Sequence, residues 1–156
     1  MAGTLKLLRT ERTFGLEQAG RILLDAVAPW VQELGLLIES IEVNPPHGAA
    51  PDWQQGAVVR LPFSQKLSHE GFLASQSLLS LADTAMMLAC SAAWDGYRPM
   101  TTVDQTTHFM RPASFDVLAD ARIVKVGRAA TVCQVSLIGA ADRRPVGIVS
   151  GTCAAL

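Results

Sequence analysis

LLSLADTAMMLAC, residues 78–90, is the stretch that decides the fold, because it is apolar almost throughout. It lies within a run of small and apolar residues, 75–94, whose pattern predicts one long helix. A helix that is apolar nearly all round must be enclosed on most sides by other elements. The sequence therefore predicts an inner helix with the rest of the chain wrapped around it.

Asp83 is the only charged residue of this predicted helix. Aspartate is a poor helix former, and an ionised carboxylate is costly to bury without a partner. Its neighbours at three and four residues supply no counter-charge; they are Leu79, Ser80, Met86 and Met87. Burial makes a carboxylate more basic, which suits a general base. The residue pattern leaves a second interpretation open, in which Asp83 caps a loop or reaches solvent at the helix edge.

The segments before the inner helix predict one helix and a hairpin. Residues 15–34 have apolar side chains at helical spacing and predict an amphipathic helix with a kink at Pro29. Residues 35–43 and 57–63 are rich in β-branched side chains and predict two strands. The loop between them is dense in proline and glycine, so we expect these strands to form a hairpin.

Four strand-like runs follow the inner helix, at residues 101–110, 116–127, 130–140 and 145–156. The connections RPAS, GR and ADRR are short enough for an antiparallel meander. A six-stranded antiparallel sheet that curls, as large sheets do, could wrap the inner helix. The expected fold is therefore one α+β domain over residues 1–156, with 1–14 as an N-terminal extension.

Composition and charge exclude several classes of protein. The 156-residue chain is 49% hydrophobic with a formal net charge of −1, which is ordinary for one globular domain. The chain has no excess of basic residues that would indicate a nucleic-acid partner. The N-terminus lacks the pattern of a signal peptide, and no uninterrupted apolar run is long enough to predict a membrane span. We expect a cytoplasmic protein.

The cysteines and histidines show no metal-site or disulfide spacing. Cys90, Cys133 and Cys153 are odd in number and embedded in apolar segments, which predicts free buried thiols in a reducing compartment. The three histidines are isolated from one another and from the cysteines, so no zinc site is expected. His69 and His108 could each serve as an acid or base, but no serine or cysteine nucleophile stands in a recognisable motif.

Strand 101–110 carries an unusual number of polar side chains. Strict alternation puts Thr102, Asp104, Thr106, His108 and Met110 on one face. This face could line a wet cleft or a subunit interface, or it could simply face solvent.

Three basic residues at the ends of the predicted strands are candidates for phosphate contact. They are Arg111, Lys125 and Arg128. Guanidinium groups match phosphate oxygens bidentately. Each of the three could equally be a plain surface charge.

Four segments together resemble the hotdog-fold acyl-CoA thioesterases, in particular the phenylacetate-type or PaaI-like branch. They are GFLASQSLLSLADTAMMLA, TTVDQTTHFMRPA, LADARIVKVGRAATVCQVSLI and the final strand ending in GTCAAL. The resemblance runs from about residue 56 to the C-terminus. It implies a hotdog fold, with a curved antiparallel sheet of about six strands around a long central helix and an extra N-terminal helix.

The resemblance also implies catalytic roles. The family's helix-borne acid, a general base or nucleophile on the thioester, matches Asp83. The family's His-Gly-Gly stretch falls on Ala74, Ser75 and Gln76, so this chain lacks the histidine. The backbone N–H of Ser75 would form the oxyanion hole, with Gln76 as a partial substitute for the missing side chain. Thr102 matches a hydroxyl residue that orients the attacking water.

Substrate, cofactors and assembly follow from the same resemblance. Expected substrate contacts are Ala74 and Asp104 from the resemblance, and Leu79, Met87, Arg111 and Arg128 from their residue types. Leu79 and Met87 are equally compatible with the core. No metal or redox cofactor is needed, since CoA enters as part of the acyl-CoA substrate. Two subunits would pair their sheets and build each site at their shared interface, and the homodimer could pair again into a tetramer.

Two alternatives remain open on the same fold. A hydratase or dehydratase would need a histidine with an acidic partner. A non-catalytic protein that binds acyl-CoA or a small ligand would be compatible with Ala74 in place of histidine. The sequence does not predict the acyl group.

Overall fold

Three α-helices, one short 3₁₀ helix (Gln65–Leu67) and eight strands lie within residues 12–156, the part of the chain that the computed structural model describes. In chain order they are α1 (Leu16–Asp25), α2 (Pro29–Gln32), β1 (Leu37–Glu42), β2 (Gly56–Leu61), β3 (Ser68–His69), β4 (Phe72–Leu73), α3 (Ser75–Trp94), β5 (Met100–Phe109), β6 (Val117–Val126), β7 (Thr131–Gly139) and β8 (Pro145–Ala155). The predicted extension, 1–14, lies largely outside the described residues.

Helix α3 is the inner element, as its composition predicts. Thirteen of its 20 residues are buried, and it packs on β2, β6 and β7. By length and composition α3 could cross a membrane, with a mean hydropathy of 1.3 over its most apolar window, but 72% of that window is buried inside the fold. The apolar character of α3 is therefore explained by the core that it fills.

The six long strands form one antiparallel sheet in the order β1-β2-β6-β7-β8-β5. The predicted hairpin of β1 and β2 is confirmed, and so is the meander of β6, β7 and β8. Both edge strands carry a β-bulge, β1 between Ile38 and Ser40 and β5 between Thr102 and Asp104. A two-residue pair, β3 with β4, precedes α3, where the sequence predicted only a polar connection.

The predicted meander is wrong for β5, which pairs with β8 and lies at the far edge of the sheet. The segment after β5 crosses the ends of β8 and β7 before entering β6. The Met110 N–H donates to the Val146 carbonyl at 2.8 Å, and the Ala140 N–H donates to the Asp116 carbonyl at 2.9 Å. A short connection suffices because the sheet is curled, which brings the end of β5 close to the start of β6.

The N-terminal helix predicted over residues 15–34 is two helices. Proline breaks or kinks a helix when it lies in the interior, because it lacks an N–H and clashes with the preceding turn. The chain leaves α1 after Asp25 and re-enters a helix with Pro29 in its first turn, where proline fits. Ala19 and Ile22 of α1 are buried in the core, and the Gln32 side chain holds α2 to the end of α1 by donating to the Leu24 carbonyl at 2.8 Å.

Arg111 fastens the end of β5 to the turn between β7 and β8. Its guanidinium donates to both carboxylate oxygens of Asp142, at 2.7 and 3.1 Å, and to the carbonyls of Arg144 and Pro145. It also lies over the Phe115 ring at 4.7 Å. The hydrogen bonds from Arg111, and then from the Arg144 backbone N–H, lower the pKa of Asp142 to about 2.

Two glycine substitutions test the packing of the sheet. A Cβ on Gly56 would lie 2.2 Å from the Ala121 carbonyl oxygen on β6, whereas a Cβ on Gly20 in α1 would meet nothing within 4 Å. We expect Gly56→Ala to lower the free energy of unfolding by about 2 kcal/mol or more. Gly20→Ala should raise it by about 0.5–1 kcal/mol, because alanine favours a helix. Urea unfolding measures both, and a fully stable Gly56→Ala variant would contradict the β2–β6 spacing.

The Arg111–Asp142 pair predicts a pH dependence of stability. A carboxyl group whose folded-state pKa is below its ordinary value of 3.8 stabilises the fold above that value, and this stabilisation is lost as pH falls through about 2. Asp142→Asn should therefore be less stable than the wild type at pH 7, with a difference that shrinks below about pH 4. The control is Asp52→Asn, at an exposed loop residue. An unchanged difference between pH 7 and pH 3 in urea unfolding would contradict the prediction.

Candidate active site

Asp83 lies on a stripe of α3 that residues 12–156 leave partly open. Leu79, Ser80, Asp83 and Met87 are half-buried, while the residues between them are buried. They recur at three- and four-residue spacing and so share one helix face. Asp83 is therefore less enclosed than the sequence suggested, and its carboxylate faces a cleft.

Thr102 on β5 reaches the Asp83 carboxylate. Its hydroxyl donates to Asp83 Oδ1 at 2.6 Å. This bond fixes the orientation of the carboxylate and leaves its second oxygen available as an acceptor. The structure thus brings together the two residues on which the predicted chemistry depends.

The prediction that Thr102 and Asp104 share a face of β5 is wrong, because of the bulge between them. Thr102 pairs with Cys153 and Asp104 with Thr152, so three residues on β5 oppose two on β8. The extra residue reverses the alternation that a regular strand would keep. Thr102 points to α3, whereas Asp104 lies on the opposite face of the sheet from Asp83.

Side chains beyond the bulge follow the reversed alternation. The Gln105 amide donates to the Leu79 carbonyl on α3 at 3.4 Å, and the half-buried Thr107 lies on the same inner face. Asp104, Thr106 and His108 are exposed. The mostly polar strand therefore divides into an inner set against α3 and an outer set in solvent.

The cleft beside Asp83 has a volume of about 230 Å³. Its walls come from α2, α3 and β5; they are Trp30, Val31, Leu79, Ser80, Asp83, Thr84 and Gln105. Leu79 was expected here, but Trp30 and Val31 were not. No local pattern links the N-terminal helices to the site, because only the path of the folded chain brings α2 to this face of α3.

The N-terminus of α3 presents two unbonded amides. Ala74 is its N-cap in extended conformation, without a side-chain cap, so the first N–H groups of the helix lack intrahelical acceptors. Within residues 12–156 neither the Ser75 nor the Gln76 N–H has a hydrogen-bond acceptor. The helix dipole favours negative charge at this point.

Ser75 and Gln76 line different clefts. Ser75 lines one of about 380 Å³ with Leu73, Leu78 and residues 109–113. Gln76 lines one of about 290 Å³, which it shares with Trp30. The Ser75 hydroxyl lies 3.4 Å from the Gln76 side-chain oxygen, and the Ala74 N–H donates to the Leu67 carbonyl.

Within one chain, the Ser75 amide and the Asp83 carboxylate do not meet. They are eight residues apart on α3, which is about 12 Å along the helix axis. They also face separate clefts. One chain alone therefore does not place both groups on a single reacting carbonyl.

A fourth cleft, of about 260 Å³, lies at the C-terminal end of α3 and is basic. Arg98, Arg128 and Trp94 line it, and the Arg98 guanidinium lies 5.5 Å from the centre of the Trp94 ring. Neither arginine forms an ion pair with a carboxylate of residues 12–156. The sequence predicted Arg128 as a phosphate contact but did not point to Arg98 or Trp94. Arg111, another predicted phosphate contact, is paired with Asp142 and does not line this cleft.

The histidines lie away from Asp83. His69 is exposed on β3, with Glu70 4.0 Å away, and His108 is on the outer face of β5. Among the described residues, none of the histidines lines the Asp83 cleft.

The three cysteines are free and buried, as predicted. The Cys90 and Cys133 sulfurs lie 3.6 Å apart. Hydrogen bonds with Cys133 and Cys153, together with burial, raise the pKa of Cys90. Over residues 12–156 no group of three histidine, cysteine or acidic side chains could hold a metal ion.

Comparisons with known proteins agree with this architecture. Residues 77–145 match the model of the thioesterase superfamily. A candidate esterase of Halobacterium salinarum is 33% identical over 92 residues, which cover 54% of this chain. The match spans 60% of the length of that curated relative.

Two solved structures extend the comparison to the whole fold. A conserved protein of Pseudomonas aeruginosa is 26% identical, with a TM-score of 0.69 over 83% of this chain and 95% of its own. The PaaI protein of the E. coli phenylacetic acid degradation operon is 20% identical, with a TM-score of 0.72 over 90% of this chain and 91% of its own. The predicted hotdog fold is confirmed by these structures. The predicted resemblance to thioesterases is confirmed by the family match over residues 77–145, and the similarity to the PaaI protein is one of fold.

Proposed function

We propose that this chain, a hotdog-fold protein similar to the PaaI-like thioesterases, hydrolyses an acyl- or aryl-CoA thioester to the free acid and CoA. The observation that carries the proposal is the Asp83 carboxylate, which lies in an open cleft with the Thr102 hydroxyl donating to one of its oxygens. A carboxylate oriented in this way has a free oxygen with which to accept a proton from water.

The reaction needs a base, a water and a place for negative charge. Asp83 takes a proton from a water held by Thr102, and the water attacks the thioester carbonyl; alternatively, Asp83 attacks directly and forms an anhydride that water then opens. In either route the carbonyl oxygen becomes an oxyanion, which accepts a hydrogen bond from the Ser75 N–H at the N-terminus of α3. Collapse breaks the carbon–sulfur bond, and the CoA thiolate leaves and takes up a proton.

The site in this proposal belongs to a homodimer joined through β5. Among the described residues this strand pairs only with β8, and its other edge is ten residues long. Three large apolar side chains at this edge are strongly exposed: Val103 at 60%, Phe109 at 44% and Met110 at 55%. An exposed edge of this length invites pairing with a second copy.

Two-fold pairing of β5 would complete the site. Antiparallel pairing brings the C-terminal end of one β5 beside the N-terminal end of the other. The Ser75 cleft includes residues 109–113, at the C-terminal end, while Thr102 and Asp83 lie at the N-terminal end. Asp83 would therefore meet the amide of the partner subunit's Ser75. This arrangement removes the problem of the 12 Å separation along α3.

The basic cleft supports CoA as the leaving group. Arg98 and Arg128 present guanidinium groups without carboxylate partners in the described chain, beside the flat Trp94 ring. Guanidinium groups bind phosphates bidentately, and an indole can stack on a purine. The CoA nucleotide would supply both kinds of partner.

The two alternatives receive less support from the site. A hydratase would need a histidine at the Asp83 cleft, and neither His69 nor His108 lies there. A protein that binds without turnover would not need a carboxylate held by a hydroxyl. The three free thiols support a reducing compartment, so cytoplasmic location is part of the proposal.

Three substitutions test the mechanism on a panel of acyl-CoAs, read out by the released thiol. Asp83→Asn should lower kcat about 10²-fold or more, because it removes the base. Ser75→Pro deletes only the N–H at the first helical position, where proline is tolerated, and should lower kcat by about 10²–10³-fold. Ser75→Ala keeps the N–H and should retain activity. A folded Asp83→Asn variant with unchanged turnover would contradict the proposed mechanism.

Mixing the two inactive variants tests the shared site. In a heterodimer of Asp83→Asn and Ser75→Pro subunits, one site combines an intact Ser75 amide with an intact Asp83, and the other carries both defects. Random exchange of subunits should therefore restore about a quarter of wild-type activity, since half of the dimers are mixed and each has one intact site. Mixtures no more active than the separate variants would contradict a site built from two subunits.

A further inference from the structure

We infer that α2 carries the acyl-selecting wall of the site and that Trp30 stacks against the acyl group of the thioester. The inference rests on the proposed function and adds a residue that determines specificity. Trp30 is 57% exposed on a four-residue helix, yet it lines the cleft that contains Asp83. A large aromatic ring in that position is not buried in the core, so its face is available to a ligand.

Trp30 stands between two clefts on the same side of Asp83. One is the Asp83 cleft, which it lines with Val31 and Leu79. The other, of about 290 Å³, is lined by Leu34 and Leu67 together with the polar residues Glu33, Lys66, Gln76 and Ser77. Open space therefore continues past the ring, so an acyl group longer than acetyl that leaves Asp83 in this direction meets the indole first.

The distribution of charge decides which end of the substrate lies here. The basic cleft with Arg98 and Arg128 lies at Trp94, eleven residues beyond Asp83 and about 16 Å along α3. The Trp30 cleft lies on the opposite side of Asp83, beside Leu79 and the start of the helix. A CoA thioester carries all of its phosphates at one end. The phosphates would therefore point to the arginines, and the acyl group to Trp30.

The backbone that carries Trp30 is held in place by its neighbours. Pro29 fixes the first turn of α2, and the Gln32 amide donates to the Leu24 carbonyl at 2.8 Å and the Val27 carbonyl at 3.4 Å. A ring carried on a fixed backbone loses less freedom when a ligand stacks on it than a ring on a mobile one. A flat aromatic acyl group gains more from such a surface than a short aliphatic one.

The experiment compares benzoyl-CoA, which reaches the ring, with acetyl-CoA, which is too short. Trp30→Ala should lower kcat/KM for benzoyl-CoA about fivefold or more, mainly through KM, and leave acetyl-CoA within about twofold. Trp30→Phe should keep most of the preference. Leu24→Ala is the control, because Leu24 is 70% exposed on α1 and does not line the cleft.

Two results would overturn the inference. The first is an unchanged benzoyl-to-acetyl ratio in Trp30→Ala, or in Trp30→Leu if the alanine variant does not fold. The second is a ratio that shifts in Met110→Ala instead, which would put the acyl group in the Ser75 cleft. Wild-type protein that hydrolyses no thioester of the acyl-CoA panel would refute the proposed function itself. Turnover of both benzoyl-CoA and acetyl-CoA at a ratio that does not change in the Trp30 variants would refute only this inference.

Discussion

The enclosure of α3 by the curled sheet is the constraint from which the other features follow. A helix with thirteen buried residues has one remaining direction in which to meet solvent, and that direction is the stripe of Leu79, Asp83 and Met87. Any group that the helix offers to a ligand must lie on this stripe or at one of its two ends. The fold itself therefore limits the chemistry to one carboxylate and the amides at the start of α3.

The sequence predicted what depends on local pattern. Residues 75–94 form the expected helix to the residue, and each of the six long strands lies within a residue or two of its predicted range. Periodicity and turn residues encode these elements, because burial repeats with the period of the backbone. Asp83 was identified for the same reason, since a charge in an apolar helix breaks the pattern around it.

The features that escaped prediction depend on contacts between distant segments. The bulge in β5 separates Thr102 from Asp104, and nothing in TTVDQTTHF distinguishes a bulged strand from a regular one. The position of β5 beside β8 follows from the curl of the sheet, which no connection length reveals. Trp30 reaches the site because Pro29 divides the N-terminal helix and turns the chain towards α3. A proline predicts an interruption, but it does not give the new direction of the chain.

The bulge in β1 has a consequence for how far assembly can proceed. If two copies join through β5, the enlarged sheet ends on both sides in β1, which would offer a new template for any further copy. On β1 the bulge between Ile38 and Ser40 disrupts the regular spacing of hydrogen-bonding groups. Glu39 and Glu42 also place charged side chains on this strand, where they form ion pairs with Arg60 and Arg122. Charged, irregular margins resist filament growth. Strand β5 would therefore pair with a second copy, whereas β1 at the opposite edge resists pairing. Association along the sheet would then stop at two subunits.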